Sequence, residues 1–175
     1  LCNRIDRNTG GIVIAAKTAE ALRVMNQKIK DRELNKYYLC VVQGRMTPPK
    51  GKLEGFLFKD EVKKQVYVTD RPQPGAKTAV TLYRTLASEH GLSLVECDLI
   101  TGRTHQIRAQ FSARGMPLAG DRKYSKYPDP PEWQIALWSS HLAFTHPETG
   151  EPMDFRLPPP AAAPWTLFSD DTAKE

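Results

Sequence analysis

The stretch Asn3-Arg4-Ile5-Asp6-Arg7-Asn8-Thr9-Gly10-Gly11 opens the chain and decides how the rest of it is interpreted. The carboxylate of Asp6 stands between two arginines, and a neighbouring positive charge stabilises the ionised form of a carboxylate. Two glycines follow and give the backbone freedom to turn before an apolar run. On its own, the pattern predicts either a nucleophilic carboxylate on a loop or an ordinary structural salt bridge, and both interpretations stay open here.

The length and composition are those of one globular domain. The 175 residues are 40% hydrophobic and 26% charged, so the chain can bury a sizeable core. No apolar run approaches the roughly 18 residues of a membrane span, so the sequence predicts no membrane partner. Because the chain begins with Leu1 inside the opening motif, we expect an N-terminally truncated piece of a longer protein.

Cysteine and histidine spacing favours neither a disulfide framework nor a metal site. Cys2, Cys40 and Cys97 are odd in number and far apart, which predicts a reducing, cytoplasmic compartment. The four histidines have no metal-ligand spacing, so no metal is expected. A net charge of +5 is compatible with a nucleic-acid partner, although lysine-rich solvated faces give the same number.

Hydrophobic periodicity predicts two helices. Thr18 is a good N-cap for the first, which runs to Lys30. The second is predicted from Thr104, as its cap, to about Arg114, with Gly115 just after its end. Strands are predicted at 12–16 (as a buried run), 36–44, 53–58, 64–69, 77–86, 92–100, 135–145 and 153–157.

These elements predict an α+β fold with a mixed, largely antiparallel sheet of about eight strands and flanking helices. The segments at 77–86 and 92–100 read as a hairpin, because a turn containing Gly91 separates them. After a proline-rich spacer, Trp165, Leu167 and Phe168 are expected to dock on the domain. The sequence therefore predicts one domain at 1–168 and an acidic, frayed tail at 169–175.

A second polar stretch, Thr101-Gly102-Arg103-Thr104-His105-Gln106-Ile107-Arg108, leaves a predicted strand and enters the second predicted helix. Gly102 permits a tight turn, and a helix start offers unpaired N–H groups to an anion. Arg103 and Arg108 add positive charge, and His105 and Gln106 add donors. A satisfied core histidine and surface arginines are the alternative interpretation.

Together, the two stretches resemble the paired motifs of the RluA-type pseudouridine synthases. Residues 3–11 are similar to the family's HRLD-x-x-T-S-G motif, and residues 101–108 match TGR-[ST]-HQ-[IL]-R. Further matches follow in the family's order at Lys36-x-Tyr38, Gly120-Asp121-x-x-Tyr124 and Phe144-Thr145-His146-Pro147. The resemblance covers about residues 1–158 and implies the pseudouridine synthase fold. The chain departs from the family pattern at Asn3 and at Leu137-Trp138-Ser139, where we expect effects on contacts or packing rather than chemistry.

The resemblance implies an isomerase that converts uridine to pseudouridine in structured RNA without a cofactor or a metal. Asp6 matches the catalytic aspartate, Tyr38 the tyrosine beside the target base, and Arg108 the arginine that pairs with the carboxylate. Arg4 matches the arginine that fills the space left by the flipped nucleotide. Further RNA contacts are expected near the motifs, from Arg7, Arg103, His105, Gln106, Arg122 and Lys123.

Ribosomal RNA is the expected substrate, and transfer RNA is the alternative. The family's upstream strand and S4-type RNA-binding domain have no counterpart in this sequence. A truncated RNA-binding module without activity is therefore the rival interpretation. Three further lysines, Lys59, Lys63 and Lys64, are interpreted as a solvated strand face.

Overall fold

The computed structural model describes residues 1–169, which form one mixed eight-stranded sheet with two α-helices and a short 3₁₀ helix. The predicted α+β class is confirmed. In chain order the elements are β1 Gly10–Gly11, α1 Ala19–Lys30, β2 Asn35–Gln43, β3 Lys50–Asp60, β4 Gln65–Thr69, β5 Lys77–Glu89, β6 Leu92–Leu99, α2 Gln106–Ala113, β7 Leu137–Thr145, β8 Pro152–Arg156 and the 3₁₀ helix Trp165–Leu167.

The strands are ordered β1-β7-β2-β6-β5-β3-β4, and β8 pairs with β7 on the same edge as β1. Only the two-residue β1 runs parallel to its neighbour within residues 1–169, so the sheet is largely antiparallel as predicted. The register of β2 against β7 shifts between Tyr37 and Tyr38. Such a bulge re-aims the side chains next to it.

The predicted hairpin forms from β5 and β6. His90 and Gly91 join the two strands with φ values of 54° and 73°. Two consecutive positive φ values are the requirement of a type I′ turn, whose twist matches that of the flanking strands. The local turn chemistry therefore specifies this pairing.

Alternate side chains of β2 enter two different cores, one on each face of the sheet. Cys40 and Val42 pack with Ile107 and Phe111 of α2, while Val41 packs with Phe168 and the C-terminal segment. The predicted docking of Trp165, Leu167 and Phe168 is thereby confirmed. Burial of α2 is the part of this packing that positions the site, because the loop before α2 carries the second motif.

Two predicted elements are wrong. The run at 12–16 forms no strand and is only partly buried, because its backbone reaches β7 at Ile12 and then turns towards α1. Thr104 is not the cap of α2. The N-cap is His105, which adopts the left-handed conformation and makes no side-chain capping bond. Thr18, by contrast, caps α1 as predicted, since its Oγ1 accepts from the Ala21 N–H at 3.1 Å.

The acidic tail predicted at 169–175 lies, apart from Ser169, outside the described residues. The division at 168 stays a prediction. None of the helices within residues 1–169 has the length and hydropathy that a bilayer crossing needs.

Gly11 fixes how closely the opening loop approaches β7. Its φ is +109°, and a Cβ there would lie 2.3 Å from the Ser139 carbonyl oxygen. Gly11→Ala should therefore cost about 3 kcal/mol of unfolding free energy, from a disfavoured φ and a backbone clash together. Urea unfolding measures this loss.

Gly150→Ala is the matched control for this prediction. Gly150 has a φ of +73° and no atom within 4 Å of a built Cβ, so alanine there would be disfavoured by its backbone conformation but would not clash. We expect a loss of about 1 kcal/mol. Equal losses in the two variants would contradict a steric role for Gly11.

Candidate active site

A loop closed at its base presents Asp6. The Cys2 N–H donates to the Ile14 carbonyl at 2.8 Å, and the Asn3 Oδ1 accepts from the Ile14 N–H at 2.7 Å. Within the loop, the Thr9 N–H donates to the Asp6 carbonyl at 2.9 Å. Asn3 is buried and acts on the loop's backbone, in agreement with the expectation that this position affects packing.

Trp138 supports the far side of the same loop. A Cβ on Gly10 would lie 2.2 Å from the indole ring, so the absence of a side chain there lets β1 lie on Trp138. The indole Nε1–H donates to the Leu157 carbonyl at 3.0 Å, which holds the ring in place. The departure from the family pattern at Trp138 therefore contributes packing under the loop.

Arg108 connects Asp6 to a second carboxylate, Asp121. Its Nε and Nη2 donate to Asp121 Oδ2 and Oδ1, both at 2.8 Å, and its Nη1 donates to Asp6 Oδ2 at 3.3 Å. The Asp121 side chain is 1% exposed and that of Arg108 11%, whereas Asp6 remains 21% exposed. Burial alone lowers the pKa of Arg108, but the hydrogen bonds and charge of Asp121, with Asp6, raise it above its ordinary value. The guanidinium therefore stays charged beside Asp6.

Asp121 also organises the loop in which it lies. Its Oδ1 accepts from the backbone N–H groups of Lys123 and Tyr124. The Tyr124 ring consequently lies 5.0 Å from the Arg108 guanidinium carbon, within the range of a cation–π contact. The Tyr124 hydroxyl accepts from the Val66 N–H at 2.9 Å, which ties the loop to β4.

His105 completes the charged group. Its Nδ1 lies 2.8 Å from the Tyr124 hydroxyl, and its Nε2 lies 4.0 Å from Asp6 Oδ2. Burial lowers the pKa of His105, and although Asp6 opposes this, Arg108 and Lys123 add to the lowering. The neutral imidazole is therefore favoured. Because the Tyr124 hydroxyl already accepts from the Val66 N–H, we assign its O–H as the donor and His105 Nδ1 as the acceptor. The neutral imidazole then carries its own N–H at Nε2, facing Asp6.

Tyr38 lies on β2 at the bulge and is 6% exposed. Burial raises the pKa of its phenol, and the charge of Asp6 acts in the same direction. The phenol therefore keeps its proton at neutral pH. Asp6, Tyr38 and His105 line one cleft of about 550 Å³, a volume in the range of small-ligand sites.

Gln106 has a structural role at the base of this cleft. Its Oε1 accepts from Thr101 Oγ1 and the Arg103 N–H, and its Nε2 donates to the Val80 carbonyl and Thr81 Oγ1. The side chain is 3% exposed. These bonds fix the turn before α2. Because they already engage both polar atoms of the side chain, we do not propose Gln106 as an RNA contact.

The arginines that flank Asp6 make no ion pair with it in the structure described at 1–169, so the charge partner is Arg108 instead. Arg4 and Arg7 are exposed, and both line the cleft. The remaining predicted contacts are partly engaged within the protein. Arg103 donates to the Thr78 carbonyl, Arg122 to the carbonyls of Asp129 and Pro130, and Lys123 to the Lys64 carbonyl.

Comparison with known proteins shows to which family the chain belongs. Residues 1–113 match the family model described as RNA pseudouridylate synthase. The chain belongs to the RNA pseudouridylate synthase family. The resemblance inferred from the two motifs is confirmed.

Curated relatives match most of the chain. It is 34% identical over 160 residues to an uncharacterised RNA pseudouridine synthase of Bacillus subtilis, covering 91% of this chain and 52% of that protein. It is 33% identical over 164 residues to the ribosomal large subunit pseudouridine synthase C of Vibrio vulnificus, covering 90% and 51%. The chain thus spans about half the length of these relatives.

Solved structures show the same fold. The human RNA pseudouridylate synthase domain containing 4 superimposes with a TM-score of 0.77 at 22% identity, over 92% of this chain and 71% of that one. The predicted pseudouridine synthase fold is confirmed by this similarity.

Three side chains of this pseudouridine synthase domain had no role assigned from the sequence. Lys36, Asp121 and Tyr124 all belong to motif matches, at Lys36-x-Tyr38 and at Gly120-Asp121-x-x-Tyr124, but the sequence alone assigns no role to them. Lys36, two residues before Tyr38 on β2, lines the cleft on the same strand face. Its alternation with Tyr38 is the signal that could have identified it.

Asp121→Asn keeps the shape of the side chain and removes its charge, leaving Arg108 buried with a single, weaker partner. We expect a loss of about 3 kcal/mol in unfolding free energy, measured by urea denaturation. Glu54→Gln is the control, because Glu54 pairs with Lys52 at 2.5 Å while both side chains are 53% exposed. Its loss should be about 0–1 kcal/mol. A control loss as large as that of Asp121→Asn would contradict a special role for the buried pair.

His105 should make the domain less stable in mild acid. Because its folded pKa is lowered, the unfolded chain binds the proton more readily, and stability falls as the pH drops from about 7 through about 6.5 to 5. His105→Asn should remove this loss, so the variant gains relative to the parent as the pH decreases. Unfolding free energies across this pH range test the prediction.

The control is His90→Asn. Both histidines adopt the left-handed conformation, with φ values of 52° and 54°, which asparagine tolerates. If both variants changed the pH profile equally, the environment of His105 would not be the cause.

Proposed function

We propose that this chain is the catalytic part of an RNA pseudouridine synthase, an isomerase that converts specific uridines to pseudouridine with Asp6 as the nucleophile. The observation that carries the proposal is the ion pair of Asp6 with Arg108, in a cleft also lined by Tyr38. Family membership supports the reaction class.

The isomerisation asks little of the protein beyond a nucleophile and a shaped pocket. The uracil is detached from C1′ of the ribose, rotated, and rejoined through C5, while the C5 proton is lost and N1 gains one. No group is transferred and nothing is oxidised, so the balanced reaction requires no cofactor, metal or nucleotide. A nucleophile that must attack and later leave is well served by a carboxylate.

Arg108 suits this chemistry because it places a positive charge beside Asp6 without immobilising it. Its two short bonds go to Asp121, and the bond to Asp6 is the longest of the three. The Asp6 oxygens therefore remain available to a substrate in the cleft. Tyr38, which keeps its proton, offers an aromatic face and a donor to the uracil while it is detached.

A base inside an RNA helix must be extruded to reach Asp6, at a cost of a few kcal/mol. Arg4 is exposed at the rim of the cleft, where it can enter the vacated space. Arg7, Arg103, Arg122 and Lys123 are proposed as phosphate contacts, and His105 as a polar contact near the carboxylate. Each neutralised phosphate makes binding more dependent on salt.

Ribosomal RNA is the proposed substrate, and transfer RNA is the alternative. The proposal of ribosomal RNA is supported by relatives named as ribosomal large subunit pseudouridine synthases C and D in Vibrio vulnificus and Zymomonas mobilis. We also infer a cytoplasmic enzyme, because these bacterial relatives carry names of ribosome-modifying proteins and the three cysteines here are free thiols.

Asp6→Asn should abolish release of tritium from ribosomal RNA labelled at uracil C5 while leaving RNA affinity within about twofold. Asparagine preserves the size of the side chain but is a far weaker nucleophile than a carboxylate. Tritium release and filter binding measure the two properties separately, with a chelator present throughout.

Arg7→Gln is the control, because it removes a charge near Asp6 that makes no ion pair with it. This variant should release tritium and bind RNA more weakly. Continued release by Asp6→Asn would overturn the nucleophile assignment. A folded wild-type chain that binds RNA but releases nothing would favour the rival interpretation of an inactive RNA-binding module.

A further inference from the structure

A second groove lies beside the active-site cleft, across a ridge formed by Gly102, Arg103 and Thr104. These three residues line both depressions. The groove has a volume of about 400 Å³, and its other walls come from the β3–β4 hairpin and the start of β5. The proposed reaction makes no use of it.

The groove is positively charged. Lys59, Lys77 and Arg103 line it together with one carboxylate, Glu61. The pairing of Leu57 with Lys77 brings the start of β5 beside the end of β3 that carries Lys59. Arg103 is held near the same place, because its Nε donates to the Thr78 carbonyl at 3.1 Å. Three cations distant in sequence therefore surround one depression.

Gly102 contributes no side chain to the ridge. A Cβ there would lie 3.1 Å from the Lys36 Nζ, so Lys36 reaches the ridge from the cleft side. Arg103 follows directly and lines both the cleft and the groove. Burial lowers the pKa of Lys36, Asp98 opposes this, and the charge of Arg103 adds to the lowering. An anion between Lys36 and Arg103 would relieve the repulsion of these two cations.

We propose that the groove binds the ribonucleotide adjacent to the target uridine in the same RNA strand, with the connecting phosphate crossing the ridge at Gly102 between Lys36 and Arg103. The inference rests on the proposed function for the identity of its ligand. A ridge only one loop thick lets neighbouring nucleotides occupy the two depressions.

The walls of the groove fit a nucleotide better than a bare phosphate. Phe58 lines it next to Lys59, and aromatic side chains stack on RNA bases whatever their sequence. Lys59 and Lys77 line the same groove and supply positive charge for a further phosphate of the strand. Lys59 also pairs with Glu61 at 2.8 Å, an exposed pair that competes weakly with an RNA phosphate.

The test uses the double variant Lys59→Ala/Lys77→Ala and the full chain. The probe is a single-stranded ten-nucleotide oligouridylate, whose binding is followed by fluorescence anisotropy at several salt concentrations. Removing two phosphate contacts should weaken binding and reduce the slope of log affinity against log salt by about 1.4. Thermal melting checks that the variant is folded.

Lys50→Ala/Lys52→Ala is the matched control. Lys50 and Lys77 are both exposed first residues of strands, and Lys52 pairs with Glu54 as Lys59 pairs with Glu61. Lys50 and Lys52 lie at the other end of β3, away from the groove. For this control we expect a slope of log affinity against log salt that is unchanged from the wild type. Equal reductions of the slope in the two double variants would overturn the proposal.

A second measurement separates a nucleotide from a bare phosphate. Phe58→Leu should weaken binding of the oligouridylate several-fold and leave an abasic oligomer of equal length unaffected. Equal effects on both oligomers would overturn the stacked nucleotide.

Failure of the groove and failure of the proposed function give different results. Tritium release by the wild type with no slope difference between the double variants would overturn the groove alone. A difference in slope between the two double variants, without tritium release by the wild type, would overturn the proposed function but not the binding of a nucleotide in the groove.

Discussion

The fork of Arg108, shared between two carboxylates of unequal exposure, is the interaction on which the site depends. A buried guanidinium is stable only when its charge and donors are satisfied, and Asp121 supplies most of what Arg108 needs. Asp6 receives the remaining donor at a longer distance. The protein thus stabilises the arginine with one carboxylate and leaves the other partly solvated, which suits the nucleophile role that we propose for Asp6.

The same arginine joins segments that are distant in the sequence. It extends from α2 and meets the opening loop at Asp6 and the loop after α2 at Asp121. Tyr124 packs on its guanidinium and reaches β4 and His105 with its hydroxyl. The loops also contribute apolar residues to the cores, among them Ile5 and Leu118, and the network adds polar contacts that orient the side chains of the site.

Features set by local chemistry could be predicted from the sequence. Alternation along the strands, the turn at His90 and Gly91, and the Thr18 cap all depend on neighbours in the chain. The left-handed conformation of His105 could not be predicted, because a non-glycine residue adopts it at a cost that here is offset by contacts with Tyr124. The run at 12–16 looked like a buried strand, since composition does not reveal that only Ile12 reaches a partner strand.

The same distinction applies to the site. Residues in short motifs can be identified from the sequence, whereas contacts between distant segments cannot. The sequence proposes Asp6 and Arg108 as a pair because each lies in a short motif, whereas Asp121 has a visible spacing but no visible partner. Lys59 is predicted to be solvated and its side chain is 47% exposed, but the sequence of one strand does not show that it also lines a groove. The β3–β5 register and the bond from Arg103 to Thr78 bring a second and a third cation to Lys59. The three positive charges come together only through the pairing between strands. The sequence of a single strand therefore does not predict that they surround one groove.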